Sequence, residues 1–352
     1  ANTKEAVAEV QQAGVRVVML TGDNPITARN IAEQVGIIGV QRGVLTGAEL
    51  AKMNDDEAYE ALKTYSVIAR VLPAQKLRIT RLLKDKNEIV AMTGDGINDT
   101  PALRSADIGI AVGSGTEVAK EASDIILLNN SFSIITFSIK TGRQIIDNLK
   151  KILTYLLSTN FSGISVIGAS FVAGTPLPIL PTQILWANIV EEGLMSFSFA
   201  FEPAEDDVMK RDPRASDVRN ILIVIIATIT SVLLIFLYFL LLTLDIAIEE
   251  IRTIMFVAFT LDSIFFAFSL KNLRKPIWNI NFLDNKYLLL ALSISVGLLL
   301  FVLVFPPLKL LLSLESLALW EIALLFGVGI VNLLIIETFK FFFFARLRKP
   351  AR

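Results

Sequence analysis

The hydrophobic pattern changes character part-way along the chain. Between residues 1 and 145, short apolar segments alternate with stretches of helical periodicity, whereas residues 150–344 are almost continuously apolar. The short apolar segments lie at 15–20, 66–71, 88–92, 107–112 and 124–128. Because they are apolar throughout, we expect strands whose two faces are both covered by helices. Strands that alternate with helices predict an α/β domain with a doubly wound parallel sheet.

The second part of the chain predicts an all-α membrane domain of six transmembrane helices. The predicted spans lie near 152–173, 179–201, 221–244, 251–270, 287–305 and 321–344. The loop 271–276 and the tail 345–352 are basic, whereas the loop 244–250 is acidic. The positive-inside rule therefore predicts a multi-pass protein of the cell membrane, with the first part and both termini in the cytosol.

The composition narrows the available chemistry. The chain has 352 residues, of which 53% are hydrophobic, and it contains no Cys and no His. Thiolate nucleophiles, imidazole bases and zinc sites built from Cys and His are therefore excluded. The net charge of −1 gives no general attraction to nucleic acid. The groups that remain available for catalysis or binding are carboxylates, Lys, hydroxyl groups, backbone amides and Mg²⁺.

Two predicted strands end in the same tripeptide, Thr-Gly-Asp, at residues 21–23 and 93–95. Glycine permits a tight turn and a close approach to the backbone, where exposed amides attract anions. Lys76, at the start of a predicted helix, can supply a point charge to phosphate oxygens. The alternative interpretation is that Asn24 and Asn98 simply cap the helices that follow the two turns.

The segments 19–37, 68–80 and 92–130 resemble, in order and spacing, the phosphorylation domain of P-type cation-transporting ATPases, in particular the calcium-pump-like subgroup. This family has the haloacid-dehalogenase-like fold. Its members move the γ-phosphoryl group of ATP onto an aspartate and then hydrolyse the aspartyl phosphate. The resemblance implies ATP and Mg²⁺ as cofactors, and positioning with charge neutralisation suits phosphoryl transfer.

The resemblance also implies roles for individual residues. The turn Thr21, Gly22 and Asp23 would contact phosphate, and Lys76 would stabilise the charge of the phosphoryl group. Asp95 and Asp99 would hold Mg²⁺. Asn98 and Asp99 would complete the network that links Mg²⁺ and phosphate.

Two features depart from the family pattern. Thr100 stands where the family usually has Ala, and the nucleophile motif Asp-Lys-Thr-Gly-Thr is absent from the chain. The resemblance therefore implies a missing N-terminal half, which would carry that motif, the nucleotide-binding and actuator domains and the early membrane helices. Alone, the chain is expected to form no phosphoenzyme.

The predicted domain division follows the same pattern. Residues 1–130 would form the carboxyl-terminal part of the phosphorylation domain, and 131–157 a stalk helix that enters the bilayer. Residues 152–344 would form the membrane domain, and 345–352 a basic cytosolic tail.

Polar side chains inside predicted spans are candidates for a cation site, because such groups are costly in a bilayer. Asn188, Glu191 and Glu192 have the spacing of one helix face, and Gly193 can loosen the helix beside them. Asn160 and Asp262 lie in two further spans. The alternative is a polar patch that only holds helices together.

Two features of the last spans complete the interpretation. Glu337 and Lys340, at positions i and i+3, are expected to pair at the membrane surface. The calcium-pump-like members typically have a Thr-Asp pair where this chain has Glu191 and Glu192, and often a Glu at the position of Gly163. A Ca²⁺-like cation is the first expectation, while protons or another cation stay open.

The sequence therefore favours part of an ATP-driven cation pump, with ATP, the transported cation and the lipid bilayer as partners. One alternative is a membrane-anchored, Mg²⁺-dependent phosphatase of the same fold. The other is a non-catalytic or split membrane subunit that pairs with a separate chain.

Overall fold

The computed structural model describes residues 3–39, 42–128, 131–211, 219–272 and 275–347. These residues divide into two compact units. The sheet unit comprises the described residues up to Arg143 together with 205–211, and the helical unit comprises the remainder. The side chains of Glu191, Phe282, 219–224 and 343–347 lie outside the described part.

The sheet unit alternates strands and helices, as the hydrophobic pattern predicts. Its strands are β1 (Met19–Leu20), β2 (Leu45–Thr46), β3 (Val67–Ala69), β4 (Ala91–Gly94), β5 (Ile108–Val112) and β6 (Ile125–Leu127). Its helices are α1 (Thr3–Gln12), α2 (Pro25–Val35), α3 (Gly47–Leu50), α4 (Asp55–Thr64), α5 (Pro73–Asp85), α6 (Thr100–Ser105) and α7 (Glu117–Glu121). Four of the five predicted strand segments contain one of these strands, and the fifth, 88–92, overlaps β4 by two residues. The two-residue strand β2 is the addition.

The described strands pair in parallel, but they form two sheets rather than one. One three-stranded sheet has the order β1-β3-β2 and the other the order β4-β5-β6. Among the described residues, β1 and β4 therefore each pair on one side only. Leu20 of β1 packs against both the apolar core around Ile68 and the core around Met92 and Leu103. The two sheets thus share apolar packing without sharing hydrogen bonds.

The helical unit consists of long apolar helices joined by short segments. They are α8 (Phe132–Val172), which begins in the sheet unit, then α9 (Pro181–Trp186), α10 (Gly193–Phe199), α11 (Arg219–Leu242), α12 (Ile248–Leu270), α13 (Lys286–Val304), α14 (Pro306–Leu311) and α15 (Leu319–Leu347). One turn of π-helix, Ala187–Glu192, joins α9 to α10. Helix α12 is buried around most of its circumference and is the most enclosed of the five long apolar helices.

Five helices in the described part are long and apolar enough to cross a membrane. They contain the predicted spans at 152–173, 221–244, 251–270, 287–305 and 321–344, apart from one or two residues at several span ends. The sixth predicted span, 179–201, is a helical segment from Pro181 to Phe199 that the π-turn interrupts, so it is not among the five. The count of six spans stays a prediction. Beyond Leu347, the predicted basic tail lies outside the described residues.

The boundary between the two units differs from the predicted boundary at residue 130. The first turns of α8 belong to the sheet unit, because Thr136 donates a hydrogen bond to the Ala6 carbonyl (3.3 Å) and Phe132 packs on the core around Val67. The segment 205–211 joins the same unit, because Arg143 donates to the Val208 carbonyl (3.1 Å).

Candidate functional site

The Thr-Gly-Asp turn after β1 is fixed by backbone hydrogen bonds. The Thr21 amide donates to the Ile68 carbonyl (3.0 Å), and the amides of Val71 and Arg70 donate to the carbonyls of Thr21 and Asp23 (both 3.0 Å). The turn therefore lies beside the end of β3. The Asp23 amide also donates to the Thr21 hydroxyl (3.1 Å). These bonds fix the backbone of the turn at the protein surface, where the side chain of Asp23 is exposed.

Gly22 and Asn24 bear on whether this turn binds phosphate or only caps the helix that follows. Asn24 accepts hydrogen bonds from the amides of Ile26 (3.1 Å) and Thr27 (3.0 Å), so Asn24 caps α2, as the alternative interpretation holds. A Cβ at Gly22 would meet no heavy atom within 4 Å. Packing within the sheet unit therefore does not require glycine at this position. The space beside Gly22 is therefore open.

Lys76 and Asp99 form the strongest polar contact of the predicted phosphate site. Lys76 lies in the first turn of α5, where Pro73 begins the helix, and its Nζ is 2.6 Å from Asp99 Oδ1. Their side chains are only 16% and 10% exposed. Asp99 itself packs over Gly94, since a Cβ at Gly94 would lie 2.5 Å from the Asp99 Cβ. Glycine is thus required here, so that the end of β4 can receive the Asp99 side chain.

Asp95 and Asn98 are exposed, in contrast to Asp99. The Asp95 carbonyl accepts a hydrogen bond from the Thr116 amide (2.8 Å), and Gly115 allows the two loops to approach. This fixes the Asp95 backbone and leaves its carboxylate facing solvent. Asn98 does not cap the following helix, because the described turn begins at Gly96 and no side chain caps it.

The donor set of this region fits a phosphoryl group and Mg²⁺ in part. An exposed carboxylate at Asp95 is a suitable ligand for a hard cation. Asp99 is already neutralised by Lys76, so its carboxylate orients the lysine in this structure. Among the described residues, no group of three or more acidic side chains is placed to hold a metal ion. The structure joins Lys76 to Asp99 and the turn at Thr21 to the end of β3, but its described hydrogen bonds do not connect these two groups.

Glu192 is the buried acidic residue of the predicted cation site. It ends the π-turn and is 6% exposed, with its carboxyl within hydrogen-bonding reach of Thr159 on α8. The described residues place no Lys or Arg in an ion pair with it. A buried carboxylate without a cationic partner requires a proton or a bound cation. Turns of π-helix occur frequently at functional sites.

The remaining site residues differ in their exposure. Asn188, in the π-turn, is exposed, whereas Glu192, at its end, is buried, so the two side chains lie in different environments. The common helix face of Asn188, Glu191 and Glu192 stays a prediction. Asn160 is also exposed and donates to the Leu156 carbonyl of its own helix (2.8 Å). The side chain of Glu191 lies outside the described part.

Asp262 belongs to a different polar cluster. It is 7% exposed on α12 and accepts a hydrogen bond from Asn332 on α15, which also donates to Thr230 on α11 (3.1 Å). The sequence interpretation passed over Asn332. Its signal is a single Asn in the apolar run "GIVNLLII".

A buried ion pair at one end of the helical unit was also not predicted from the sequence. Glu202 is 4% exposed and pairs with Lys271 (3.0 Å), which follows α12. Asn285, at the start of α13, donates to the second Glu202 oxygen (2.7 Å). Asn148 of α8 donates to the Glu202 carbonyl (2.8 Å). Glu202 therefore links the ends of α10, α12 and α13 to the middle of α8.

Glu337 and Lys340 do pair (2.8 Å), but the expected surface position is wrong. Both are at most 1% exposed. Glu337 accepts hydrogen bonds from the Ser269 hydroxyl (2.5 Å) and the Ile277 amide (2.7 Å), and Lys340 donates to the Ser269 carbonyl (2.7 Å). The pair is buried because it satisfies the polar groups left at the end of α12.

Comparison with protein families assigns both units. Residues 176–342 match the model of the cation transporting ATPase carboxyl terminus. Residues 1–107 and 76–155 match two models of haloacid dehalogenase-like hydrolases. The two parallel three-stranded sheets and the apolar helices fit these assignments.

Comparison with individual proteins gives the same result. A probable cation-transporting ATPase F of Mycobacterium bovis is 41% identical over 303 residues, which cover 82% of this chain and 33% of the relative. Calcium-transporting ATPase 1 of Bacillus cereus is 33% identical over 359 residues, which cover 96% of this chain and 40% of the relative. The calcium-transporting ATPase of Bacillus subtilis is 40% identical over 212 residues, which cover 60% of this chain and 24% of the relative. The chain thus spans well under half the length of these relatives. It belongs to the family of cation-transporting ATPases, and its residues match the carboxyl-terminal, membrane-embedded part of that family together with a haloacid dehalogenase-like domain.

Proposed function

We propose that the chain supplies the phosphoryl-handling site and the cation site of an ATP-driven cation pump. The observation that carries the proposal is the buried Glu192 carboxyl on a π-turn within an apolar helical segment. A stand-alone phosphatase gives no reason for such a group, whereas a transported cation does. The relatives named as calcium- or cation-transporting ATPases favour the same interpretation.

In this proposal, the sheet unit holds the phosphoryl group of ATP. Gly22 leaves open space at the turn from Thr21 to Asp23, where a phosphate oxygen would approach the Gly22 amide. Lys76, oriented by Asp99, supplies the positive charge that stabilises the oxygens in the transition state. Asn98 is exposed next to these groups and can donate to the same oxygens.

Mg²⁺ would be held by Asp95, whose carboxylate faces solvent while its backbone is anchored. When bound, Mg²⁺ neutralises charge on the phosphoryl oxygens. The predicted second ligand, Asp99, is engaged by Lys76 in this structure. We therefore assign Asp95 as the principal ligand and Asp99 as the residue that positions Lys76.

The transported cation would bind at Glu192, with Glu191, Asn188 and Asn160 as further ligands. Oxygen ligands of carboxylates and amides suit Ca²⁺ and other hard cations. Asn188 and Asn160 are exposed on the surface of the helical unit, so they are available to a ligand from outside it. Asp262 has separate partners in Asn332 and Thr230, and we place it outside this first group of ligands.

We further propose that a missing N-terminal half of the pump completes both sites. The relatives are much longer than the matched segment, and β1 and β4 each have one unpaired edge among the described residues. Unpaired parallel edges can accept a further strand. This half would carry the phosphorylated aspartate, the nucleotide-binding domain and the early membrane helices. It would supply strands to the edges of β1 and β4 and would contact the exposed Asn160 and Asn188.

The proposed orientation places the sheet unit and both termini in the cytosol. The basic segment 271–276 follows α12, while the acidic segment 244–250 includes the first turn of α12. Exposed Trp278 and Tyr287 at the basic end and exposed Trp320 at the other end are suitable for the two membrane interfaces.

The proposal can be tested by ATP hydrolysis in membranes. The assay uses the chain joined to the segment that precedes it in its gene, and it measures Mg²⁺-ATP hydrolysis across Ca²⁺, Mn²⁺, Na⁺, K⁺ and pH. Stimulation by one cation is expected, and Glu192→Gln should remove it. The matched control is Glu249→Gln, which changes an exposed acid and should leave stimulation intact. Hydrolysis that no cation stimulates, or that Glu192→Gln leaves unchanged, would contradict the proposal.

A further inference from the structure

The end of helix α10 is held by a buried ion pair. Glu202 follows α10 by three residues, and its Oε1 atom lies 3.0 Å from the Nζ atom of Lys271, which follows α12. Both side chains are almost completely buried. The second carboxylate oxygen of Glu202 accepts a hydrogen bond from Asn285 (2.7 Å). Both oxygens are therefore engaged, and removal of Lys271 would leave a buried charge without its partner.

The backbone at this end of α10 is held as well. The Ser198 carbonyl accepts a hydrogen bond from Asn285 (3.0 Å), which also caps α13. The carbonyls of Ala200 and Glu202 accept hydrogen bonds from Asn148 of α8 (3.2 and 2.8 Å). The last carbonyls of a helix have no partner within the helix. At the end of α10, side chains of α8 and α13 supply these partners.

The opposite end of α10 joins the π-turn Ala187–Glu192, whose last residue is the proposed cation ligand Glu192. Gly193 begins α10. Outside its own helix and among the described residues, a Cβ at Gly193 would approach only the Asn188 carbonyl oxygen, at 3.9 Å. The surroundings of Gly193 therefore leave space for a displacement of the chain, whereas the end near Glu202 is fixed.

Helix α10 is short enough to act as a rigid link between these two ends. It has seven residues. At the usual rise per residue, its length is about 10 Å. Met195 and Phe199 pack it into the apolar core on one side. If the anchor at Glu202 is lost, α10 can shift along this core, and Glu192 at its other end shifts with it.

We propose that Glu202 is a positioning residue of the cation site, and that its ion pair with Lys271 holds α10 where α10 places the Glu192 carboxyl. Glu202 acts through α10 and does not itself contact the cation. The proposal rests on the proposed function, in which Glu192 binds the transported cation.

A second buried ion pair provides a matched control. Glu337 and Lys340 of α15 are 2.8 Å apart, and both are at most 1% exposed. Their hydrogen bonds reach Ser269, two residues before Lys271 at the same end of α12. Lys271→Met and Lys340→Met therefore each leave one buried carboxylate without its lysine. Only the first of these carboxylates belongs to the segment that follows α10.

The test measures Mg²⁺-ATP hydrolysis in membranes by the chain joined to the segment that precedes it in its gene. The varied quantity is the concentration of Ca²⁺, or of the cation among Mn²⁺, Na⁺, K⁺ and H⁺ that stimulates the unsubstituted protein. Lys271→Met should raise the half-stimulating concentration by about tenfold or more, because a displacement of about 1 Å can cost a factor of about 100. The rate at saturating cation, per folded protein, should fall much less.

Stability is measured in parallel by thermal unfolding. Lys271→Met and Lys340→Met should both lower the unfolding temperature, because each leaves a buried charge. Lys340→Met should leave the half-stimulating concentration unchanged. The double variant Glu202→Gln with Lys271→Met leaves no buried charge, so it should fold even where Lys271→Met does not. It should raise the half-stimulating concentration by a smaller factor, since a hydrogen bond from Asn285 can remain.

The outcomes are distinct. An unchanged half-stimulating concentration in Lys271→Met and in the double variant would overturn the proposal. An equal increase in Lys340→Met would also overturn it, because the effect would then follow from lost stability alone. Stimulation that persists in Glu192→Gln would overturn the proposed function itself, and this proposal with it.

Discussion

The ion pair between Lys76 and Asp99 gives a prediction whose size follows from burial. Lys76→Met removes a contact of 2.6 Å and leaves the buried Asp99 carboxylate over Gly94 without its cationic partner. Breaking a fully buried pair costs about 3–5 kcal/mol, and losing a hydrogen bond to a charged group costs about 1.5–3 kcal/mol. Because both side chains retain some exposure, we expect a loss of about 2 kcal/mol in the free energy of unfolding of the sheet unit.

A matched control is the pair of Lys120 with Glu117. The contact has a similar length, 2.8 Å, and Lys120 is 23% exposed, but Glu117 is 82% exposed. Lys120→Met therefore leaves behind a hydrated carboxylate, and the expected loss is under about 0.5 kcal/mol. The comparison isolates the burial of the carboxylate that remains.

Hydrogen exchange at the amides of β4 is the suitable assay. The tryptophans, at 186, 278 and 320, all lie in the helical unit, so their fluorescence does not report on the sheet unit. The double variant Lys76→Met with Asp99→Asn should recover part of the loss, because it leaves no buried charge. Equal losses for Lys76→Met and Lys120→Met would refute the reasoning.

The remaining predictions concern the same unit and use the same exchange assay. Gly94→Ala should destabilise the unit by about 1–3 kcal/mol, because the new Cβ would overlap Asp99. Gly22→Ala should change the free energy of unfolding by less than about 0.5 kcal/mol, because its Cβ would meet no other atom. Equal effects of the two substitutions would contradict the packing argument. Thr100→Ala should stabilise the unit by about 1 kcal/mol, because the Thr100 hydroxyl oxygen is buried without a partner in the described part, and a clear loss of stability would contradict this. A hydrogen bond from the Val90 amide, assisted by Lys84, lowers the pKa of Asp107 in the folded state. The contribution of Asp107 to stability is therefore present above about pH 4 and is lost as pH falls through the lowered pKa. Asp107→Asn should flatten this acid dependence of the free energy of unfolding. An unchanged pH profile in the variant would contradict the prediction.

The sequence predicted the elements of the sheet unit better than their arrangement. Continuous apolar runs locate strands such as β3 and β5. Asn24 and Pro25 mark the start of α2 because capping is a local property. The two-residue strand β2 leaves no periodicity to detect. The division into two sheets depends on which edges find partners, and a run of apolar residues carries no such information.

The candidate sites show the same limit. Lys76 and Asp99 could be named from the motifs, but their mutual contact depends on how Gly94 receives the Asp99 side chain. The π-turn at Glu192 could not be read from spacing, because the same residues fit an α-helix equally well. The partner of Asp262, Asn332, follows it by 70 positions in the chain and is brought close only by helix packing.

Phosphoenzyme formation tests the central claim most directly, namely that Glu192 and the site around Lys76 and Asp95 serve one reaction. The measurement is incorporation of radiolabelled phosphate from ATP into the chain joined to its preceding segment, with and without the stimulating cation. The account predicts that labelling of the unsubstituted protein depends on the cation. Labelling of Glu192→Gln should no longer depend on the cation, and Asp95→Asn should not be labelled. Normal cation-dependent labelling in both variants would contradict it.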